Sequence, residues 1–296
     1  MISVTDDKPV TSLKSVVYAT DFSPCSQNAG LYAARIAEYL SAKLLIAHAF
    51  TLTQAALEVE IGDRRVSQQR YNLKELLSKE ALLLKTDSVE AVPVLLVGNP
   101  KIIIPNLANN NEPSMIVMGT HGGNRLERGI IGSVAESILR STRWPALTVG
   151  PHVQPVTQEN LSFERVLFVT DFSPASANAA ACVVSLAEVF GAKIDVLNVL
   201  HDADIAHPEL QSNLQRRFFD ALDGLIPEHA IKFCDPKTFI AVGSAHDRIL
   251  EHIKRRSIDL LVIGVQKASH LSMDLKASGV FRIIVDAECP VLTISG

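Results

Sequence analysis

Residues 118–133 read MGTHGGNRLERGIIGS, a glycine-rich stretch between a short apolar segment and a segment with helical character. Glycine lets the backbone approach a ligand closely, and the first turn of a helix offers unpaired N–H groups and a partial positive charge. A strand–loop–helix unit of this kind therefore favours a phosphate group as its ligand. We expect Gly132, Ser133 and Val134 to supply the N–H groups.

The same residues also have a purely structural interpretation. Ser133 and Glu136 match the capping box, in which the serine hydroxyl accepts a hydrogen bond from the backbone N–H three residues later. Gly119 and Gly122 can equally serve a tight turn. The loop by itself leaves both interpretations open, because a hydroxyl can rotate between a cap and a ligand.

Composition limits the class of protein. The chain has 296 residues, 47% of them hydrophobic, and a net charge of −4 without a basic tract. We expect two domains and no nucleic-acid partner, because nucleic-acid binding usually requires a cationic face. No apolar run reaches the roughly 20 residues that span a membrane. The four cysteines are scattered without a C-x-x-C pair, which favours a reducing cytoplasm. Together with the lack of a long apolar run, this leads us to expect a cytoplasmic protein without a membrane partner.

Short apolar segments alternate with amphipathic ones along the first half of the chain. Such alternation is typical of a parallel sheet covered by helices on both faces. Ligands of these sheets bind beyond the carboxyl ends of the strands, and Asp21 and the glycine-rich loop both follow strands. The predicted strands are 16–20, 43–49, 91–97, 115–118 and 146–149, and the predicted helices are 24–40, 64–84, 100–109 and 133–141.

The pattern then begins again after a polar, proline-containing linker at 150–163. VLFVTDFSP at 166–174 repeats VVYATDFSP at 16–24, and PVLTIS at 290–295 repeats PALTVG at 145–150. This internal duplication predicts two domains, residues 1–152 and 153–296. In the second copy the predicted strands are 165–170, 193–199, 237–242, 259–264 and 291–295, and the predicted helices are 173–190, 208–226, 245–256 and 278–287.

The two copies differ within the glycine-rich stretch. Gly264 corresponds to Gly119, but Lys267 stands where Gly122 would be. Ala277-Ser278 stands where Gly132-Ser133 would be. A lysine at the turn would disfavour a positive φ and crowd a phosphate, so we expect the second copy to have lost the site. The alternative is a shifted loop that still binds, with Lys267 as a compensating charge.

The chain resembles the universal stress protein family in its tandem two-domain form. The resemblance rests on Gly119-x2-Gly122-x9-Gly132-Ser133, the flanking IVMGTHG and SVAESIL, the ATDFSP and VTDFSP openings, LLIAHA and VGNP. It implies an α/β fold of two tandem, open five-stranded parallel α/β sandwich domains, Rossmann-like and of the adenine-nucleotide alpha-hydrolase type, packed as a pseudo-dimer. It also implies pairing through the last strands, where Leu147 and Leu292 would otherwise lie on open edges.

For the ligand, the resemblance implies ATP with Mg²⁺ in the N-terminal domain, because members with the complete glycine motif bind ATP. Arg128 is a further candidate, since it could neutralise phosphate oxygens. His48 is predicted to pack rather than to react. The residues carried over by position are Asp21 near the adenosine and ribose, Ala19 and Thr20 through their backbone, Ala49 beside the base, Met118 and Gly119 at the adenosine end, and Gly122, Gly132, Ser133 and Val134 at the phosphates.

Three functions are consistent with these expectations. The first is an ATP-binding stress-response or regulatory protein, with a homodimer or a regulatory protein as partner. The second is a slow ATPase or autophosphorylating protein. Its candidates near the γ-phosphate are Asp21 and His121, although we interpret His121 as an exposed loop residue. The third is a nucleotide-free scaffold that acts through dimerisation. The complete glycine motif favours the first.

Overall fold

The computed structural model describes residues 12–51, 64–122, 130–157, 161–200, 228–265 and 276–295. Its strands in the first copy are β1 (Ser15–Ala19), β2 (Lys43–Phe50), β3 (Ala91–Val97), β4 (Ser114–Gly119) and β5 (Ala146–Val149). Those in the second copy are β6 (Arg165–Val169), β7 (Lys193–Leu200), β8 (Lys237–Val242), β9 (Leu260–Val265) and β10 (Val291–Ser295).

The helices in the first copy are α1 (Pro24–Tyr39), α2 (Arg64–Leu84), α3 (Pro100–Asn110) and α4 (Ser133–Ser141). Those in the second are α5 (Pro174–Phe190), α6 (Glu228–Cys234), α7 (Ala245–Arg256) and α8 (Lys276–Asp286). The sequence did not predict α6, and the predicted helix at 208–226 lies outside the described residues. In the part of the chain that the structure describes, no helix is both long and apolar enough to cross a membrane.

All ten strands form one sheet in the order β3-β2-β1-β4-β5-β10-β9-β6-β7-β8. Neighbouring strands within each copy are parallel, whereas β5 and β10 pair antiparallel with Leu147 opposite Leu292. This pairing joins the two copies edge to edge, as the resemblance implied, and leaves neither last strand open. Helices α1, α2, α5 and α6 pack on one face of the sheet, and α3, α4, α7 and α8 pack on the other.

The repeated DFSP motif builds a fixed turn between the first strand and the first helix of each copy. In the first copy Ser23 is the N-cap of α1 and Pro24 is its first residue. The Ser23 N–H donates to Asp21 Oδ1 at 3.0 Å, and Phe22 between them has a φ of 63°. The same bond and the same left-handed φ recur 150 residues later. The aspartate of this motif therefore has a structural role in both copies.

The described residues between the copies, 150–157 and 161–163, include buried apolar side chains, unlike the polar linker that the sequence predicted. Val153 and Leu161 are buried, and Phe163 is only 1% exposed. The Phe163 ring stacks on Phe190 of α5 with centroids 4.5 Å apart, and lies 6.4 Å from the Tyr39 ring of α1. Phe163 therefore bridges the first helices of the two copies.

The second copy buries a charge at a place where the first copy is apolar. Asp195 on β7 is fully buried and occupies the register position that Leu45 has on β2. It accepts hydrogen bonds from Arg256 at 2.9 and 3.3 Å and from His252 at 3.2 Å, both on α7. Burial alone raises the pKa of this carboxyl, but the hydrogen bonds and charges of His252 and Arg256 outweigh burial and lower the pKa to about 2.

We expect Asp195 to stabilise the folded protein at neutral pH and to lose this effect in acid. Because its folded pKa lies below the unfolded value of 3.8, the stabilisation is complete above about pH 4 and disappears as the pH falls through about 2. The shift corresponds to about 2 kcal/mol. Urea unfolding of the wild type and of Asp195→Asn should show a free-energy difference that shrinks steadily with acidification. A difference that does not change with pH would contradict the assignment.

Candidate functional site

A cavity of about 590 Å³ lies at the carboxyl ends of β1, β2 and β4, against helices α3 and α4. The strand order reverses at this place, since β1 lies between β2 and β4, and ligands of open α/β sheets bind at such a reversal. The structure brings together every sequence-predicted site residue that it describes. These residues are Ala19, Thr20, Asp21, Ala49, Met118, Gly119, Gly122, Gly132, Ser133 and Val134. Arg128 lies outside the described residues.

The floor of the cavity is apolar and made largely of small side chains. Ala19 pairs with Ala47 on one side and with Met118 on the other, and all three line the cavity together with Ala49. Ile104 of α3, which is 2% exposed, forms part of the wall. The sequence reasoning missed Ala47 and Ile104. The alternation of β2 would have placed Ala47 on the same face as Ala49.

Gly119 is required for packing between a strand and a helix. A Cβ on Gly119 would lie 2.9 Å from the Ser26 nitrogen and 3.1 Å from Cys25 Sγ, both on α1. A Cβ on Gly264 would meet α5 in the same way, 2.7 Å from Ser176 Cα. Packing therefore requires a glycine at this position in both copies, independently of the loop that follows. Its presence alone does not indicate a ligand site.

Gly122 lies directly against the carboxylate of Asp21. A Cβ on Gly122 would overlap Asp21 Oδ2. We expected a glycine here for two reasons, a positive φ and space for a phosphate, and the first reason is wrong. The described glycines with a left-handed φ are Gly98, Gly191 and Gly243. Space beside Asp21, rather than backbone conformation, excludes a side chain at residue 122.

The start of α4 presents backbone donors to the cavity. Gly132 is the N-cap and Ser133 the first helical residue, so the predicted capping box is wrong: the cap position has no side chain. The Gly132 N–H donates to the Thr120 carbonyl at 2.7 Å and closes the loop, so it does not serve the cavity as expected. Among the described residues, the N–H groups of Ser133, Val134 and Ala135 have no acceptor. They form the positive end of the helix.

His121 stands at the base of the glycine-rich loop and lines the cavity. Its Nδ1 lies 2.8 Å from Thr120 Oγ1, and its carbonyl accepts from Ser23 Oγ at 3.3 Å. Burial lowers the pKa of the imidazole; a hydrogen bond to the Ile130 backbone opposes this, and nearby His152 adds to it. These surroundings therefore favour the neutral form of the ring. His121 is half-buried, which corrects the expectation of an exposed loop residue.

His48 holds the end of β2 to the end of β1. Its Nδ1 donates to the Thr20 carbonyl at 2.8 Å, and its ring packs on Phe22 with centroids 4.6 Å apart. In the second copy the amide of Asn198 makes the same bond to the Thr170 carbonyl at 2.7 Å. The packing interpretation of His48 agrees with these contacts. His48 also lines the cavity, which the sequence did not indicate.

A buried polar pair lies next to the cavity-lining Thr20. The Tyr18 hydroxyl lies 2.6 Å from Glu80 Oε1 of α2, and the Thr20 hydroxyl lies 3.4 Å from the same carboxyl. Burial raises the pKa of Glu80, while the hydrogen bonds from Tyr18 and Thr20 oppose this increase. Phe168 replaces Tyr18 in the second copy. No signal in the sequence pointed to this pair, because Glu80 stands among the charged residues of an amphipathic helix.

Comparison with known proteins agrees with this architecture. A model of the universal stress protein family matches residues 12–150 and again residues 162–295. A putative universal stress protein of Staphylococcus saprophyticus is 32% identical over 139 residues, which cover 46% of this chain and 83% of that protein. A universal stress protein of Methanocaldococcus jannaschii is 29% identical over 138 residues, 46% of this chain and 81% of that protein.

The duplicated arrangement also has a counterpart among solved structures. The crystal structure of a universal stress protein from Archaeoglobus fulgidus aligns with a TM-score of 0.73 and 19% identity. The alignment covers 95% of this chain and 98% of that one, so the likeness in fold extends over both copies. Because the two matches to the family model together span most of the residues of this chain, the chain belongs to the universal stress protein family.

Proposed function

We propose that this protein is a cytoplasmic, ATP-binding regulatory protein of the stress response whose nucleotide site is the cavity of the first copy. One observation carries the proposal: a single cavity combines an apolar floor, a carboxylate and a helix start whose first N–H groups find no acceptor in the part of the chain that the structure describes. Its volume of about 590 Å³ lies within the range of small-molecule sites. A nucleotide has an apolar base, hydroxyl donors on the ribose and an anionic phosphate chain, which match these three parts.

Each part of the cavity has a distinct role in this proposal. The alanine and methionine side chains at the ends of β1, β2 and β4 receive the base. Asp21 accepts hydrogen bonds from the ribose hydroxyls, with its other oxygen held by the Ser23 N–H at 3.0 Å. The N–H groups at the start of α4 bind the phosphates, where the helix dipole favours negative charge.

Mg²⁺ is proposed to enter with ATP, held chiefly by the phosphate oxygens, in keeping with the reluctance of this ion to lose its water shell. Within the described ranges no three His, Cys, Asp or Glu side chains are grouped closely enough to hold a metal ion. Asp21 is the carboxylate beside the loop that could contact a water of the hydrated ion. No separate protein site for the metal is part of the proposal.

Calorimetric titration of MgATP into the full chain tests the proposal, with Asp21→Ala and Asp171→Ala as matched variants. Both aspartates accept from the serine two residues later at 3.0 Å, so both substitutions remove the same local bond. We expect one site per chain, an affinity loss of about 10-fold or more for Asp21→Ala, and no change for Asp171→Ala. Absence of binding by folded, nucleotide-free protein would overturn the proposal, and so would equal losses for the two variants.

A further inference from the structure

A buried carboxyl group lies behind the polar edge of the cavity. Glu80 of α2 is 9% exposed, and its Oε1 lies 2.6 Å from the hydroxyl oxygen of Tyr18 on β1. The same hydroxyl oxygen lies 2.7 Å from the backbone carbonyl oxygen of Ser26 on α1, a residue that lines the cavity. The Tyr18 hydroxyl therefore has two oxygen atoms at hydrogen-bonding distance.

The positions of the protons follow from the number of donors. A tyrosine hydroxyl has one proton, and a backbone carbonyl can only accept. If the Tyr18 proton lies towards Ser26, the 2.6 Å contact needs a proton from Glu80. If Glu80 were ionised, it would take the Tyr18 proton, and the Tyr18 and Ser26 oxygens would face each other at 2.7 Å without a proton between them. Both short contacts are satisfied together only when Glu80 is protonated.

The surroundings of Glu80 agree with a protonated carboxyl group. Burial is the largest influence on its pKa and raises it, and the negative charge of Asp21 raises it further. The groups that oppose this increase are the hydroxyls of Tyr18 and Thr20 and the imidazole of His48 on β2. Ionisation of Glu80 therefore has to overcome both burial and a neighbouring carboxylate.

Glu80 is connected to the cavity through the hydroxyl of Thr20. Both carboxyl oxygens lie 3.4 Å from Thr20 Oγ1, which accepts a hydrogen bond from the Phe22 N–H at 3.0 Å. Phe22 belongs to the turn that presents Asp21 to the cavity. An ionised Glu80 would draw the Thr20 hydroxyl proton towards itself and would add a second negative charge near Asp21.

The second copy builds the same turn in another way. Phe168 stands in place of Tyr18 and has no hydroxyl. Ser176 Oγ donates to Thr170 Oγ1 at 2.7 Å, and Thr170 Oγ1 still accepts from the backbone N–H two residues later at 3.1 Å. The bond between Tyr18 and Glu80 is therefore not required to form the turn, and it belongs to the copy whose cavity is the proposed nucleotide site.

We infer that Glu80 is a protonated positioning residue of the nucleotide site, and that its ionisation weakens nucleotide binding. This inference rests on the proposed function and adds regulation of that site by pH. The protonated carboxyl keeps Tyr18 bonded to Ser26 and adds no charge next to Asp21. A phosphate chain in the cavity repels an ionised Glu80, so bound nucleotide and bound proton favour each other. The affinity therefore falls as the pH rises through the raised pKa of Glu80.

The test compares the wild type with Glu80→Gln and with the matched control Glu75→Gln. The glutamine amide donates to the Tyr18 oxygen as the protonated carboxyl does, and it stays neutral at every pH. Glu75 is an exposed residue of the same helix and does not line the cavity, so its replacement removes the same formal charge elsewhere. Each protein is titrated with MgATP in a calorimeter from about pH 5.5 to about pH 8.5. Infrared spectra of the nucleotide-free proteins report the carbonyl band of a protonated carboxyl group.

We expect equal affinities of wild type and Glu80→Gln at the acidic end of the series, and a wild-type affinity about 5-fold or more below that of Glu80→Gln at the basic end. The comparison cancels the titration of histidines and of the nucleotide, which both proteins share. Glu75→Gln should follow the wild type. The infrared band should be present in the wild type and in Glu75→Gln at the acidic end and absent in Glu80→Gln.

Parallel pH profiles of wild type and Glu80→Gln, or absence of the infrared band from the wild type, would overturn this inference and leave the proposed function standing. Absence of nucleotide binding by the wild type would overturn the proposed function, and the positioning role with it. If Glu80→Gln does not fold, Tyr18→Phe replaces it. Because this change removes a hydrogen bond that lowers the pKa of Glu80, the loss of affinity should begin at a higher pH than in the wild type, and an unchanged profile would contradict the inference.

Discussion

Replacement of Gly122 by alanine is expected to lower ATP affinity by at least about 30-fold while the fold stays intact. The added Cβ would overlap Asp21 Oδ2, and the carboxylate cannot simply turn away because its Oδ1 accepts from the Ser23 N–H at 3.0 Å. Either Asp21 leaves its position or the glycine-rich loop moves outward, and both changes spoil the site. Calorimetric titration with MgATP measures the loss directly.

A matched glycine and a double-mutant cycle make this prediction specific. A Cβ on Gly279 in α8 would have nothing within 4 Å, so Gly279→Ala should leave affinity unchanged and stability equal or slightly higher. If the overlap with Asp21 is the cause, Gly122→Ala should cost much less affinity in an Asp21→Ala background. Strictly additive losses, or wild-type affinity in Gly122→Ala, would remove the role assigned to this contact.

Replacement of Phe163 by alanine is expected to lower the free energy of unfolding by about 3–5 kcal/mol. The ring is 1% exposed and stacks on Phe190 of the second copy while it packs beside Tyr39 of the first. Its removal leaves a cavity among aromatic rings that are held by two different helices and cannot easily collapse into it. Urea unfolding followed by the fluorescence of Trp144, the single tryptophan, measures the change.

Phe233 supplies the control for this prediction. Its side chain is 69% exposed at the end of α6, so Phe233→Ala removes a ring of the same size from the surface and should change stability by less than about 0.5 kcal/mol. A similar loss for the two variants would show that ring removal in general, rather than the joint between the copies, accounts for the effect.

The elements that the sequence predicted well depend on near neighbours. Pro24 after Ser23 starts α1 at the predicted residue, because a cap and a first-turn proline act within a few positions. The second copy was predicted equally well because the same short-range signals recur 150 residues later. Where prediction failed, distant residues decided the outcome. Because residues 150–163 are mostly polar, their composition did not indicate that Phe163 is buried. Because α2 is far from β1 in sequence, no local pattern indicated that Glu80 bonds to Tyr18.

The sequence by itself determined the class of fold, the duplication, the edge of the sheet at which the cavity lies and ten of the twenty-one residues that line it. The fold class, the duplication and the edge follow from periodicity, caps and repeated motifs, which are local properties of the chain, whereas the cavity residues were implied by the family resemblance. Only the tertiary structure decided why Gly122 must be glycine and which N–H groups at the start of α4 find no acceptor among the described residues. Each of these depends on which atoms from distant segments come within a few ångströms of one another, and close packing makes that a property of the whole fold.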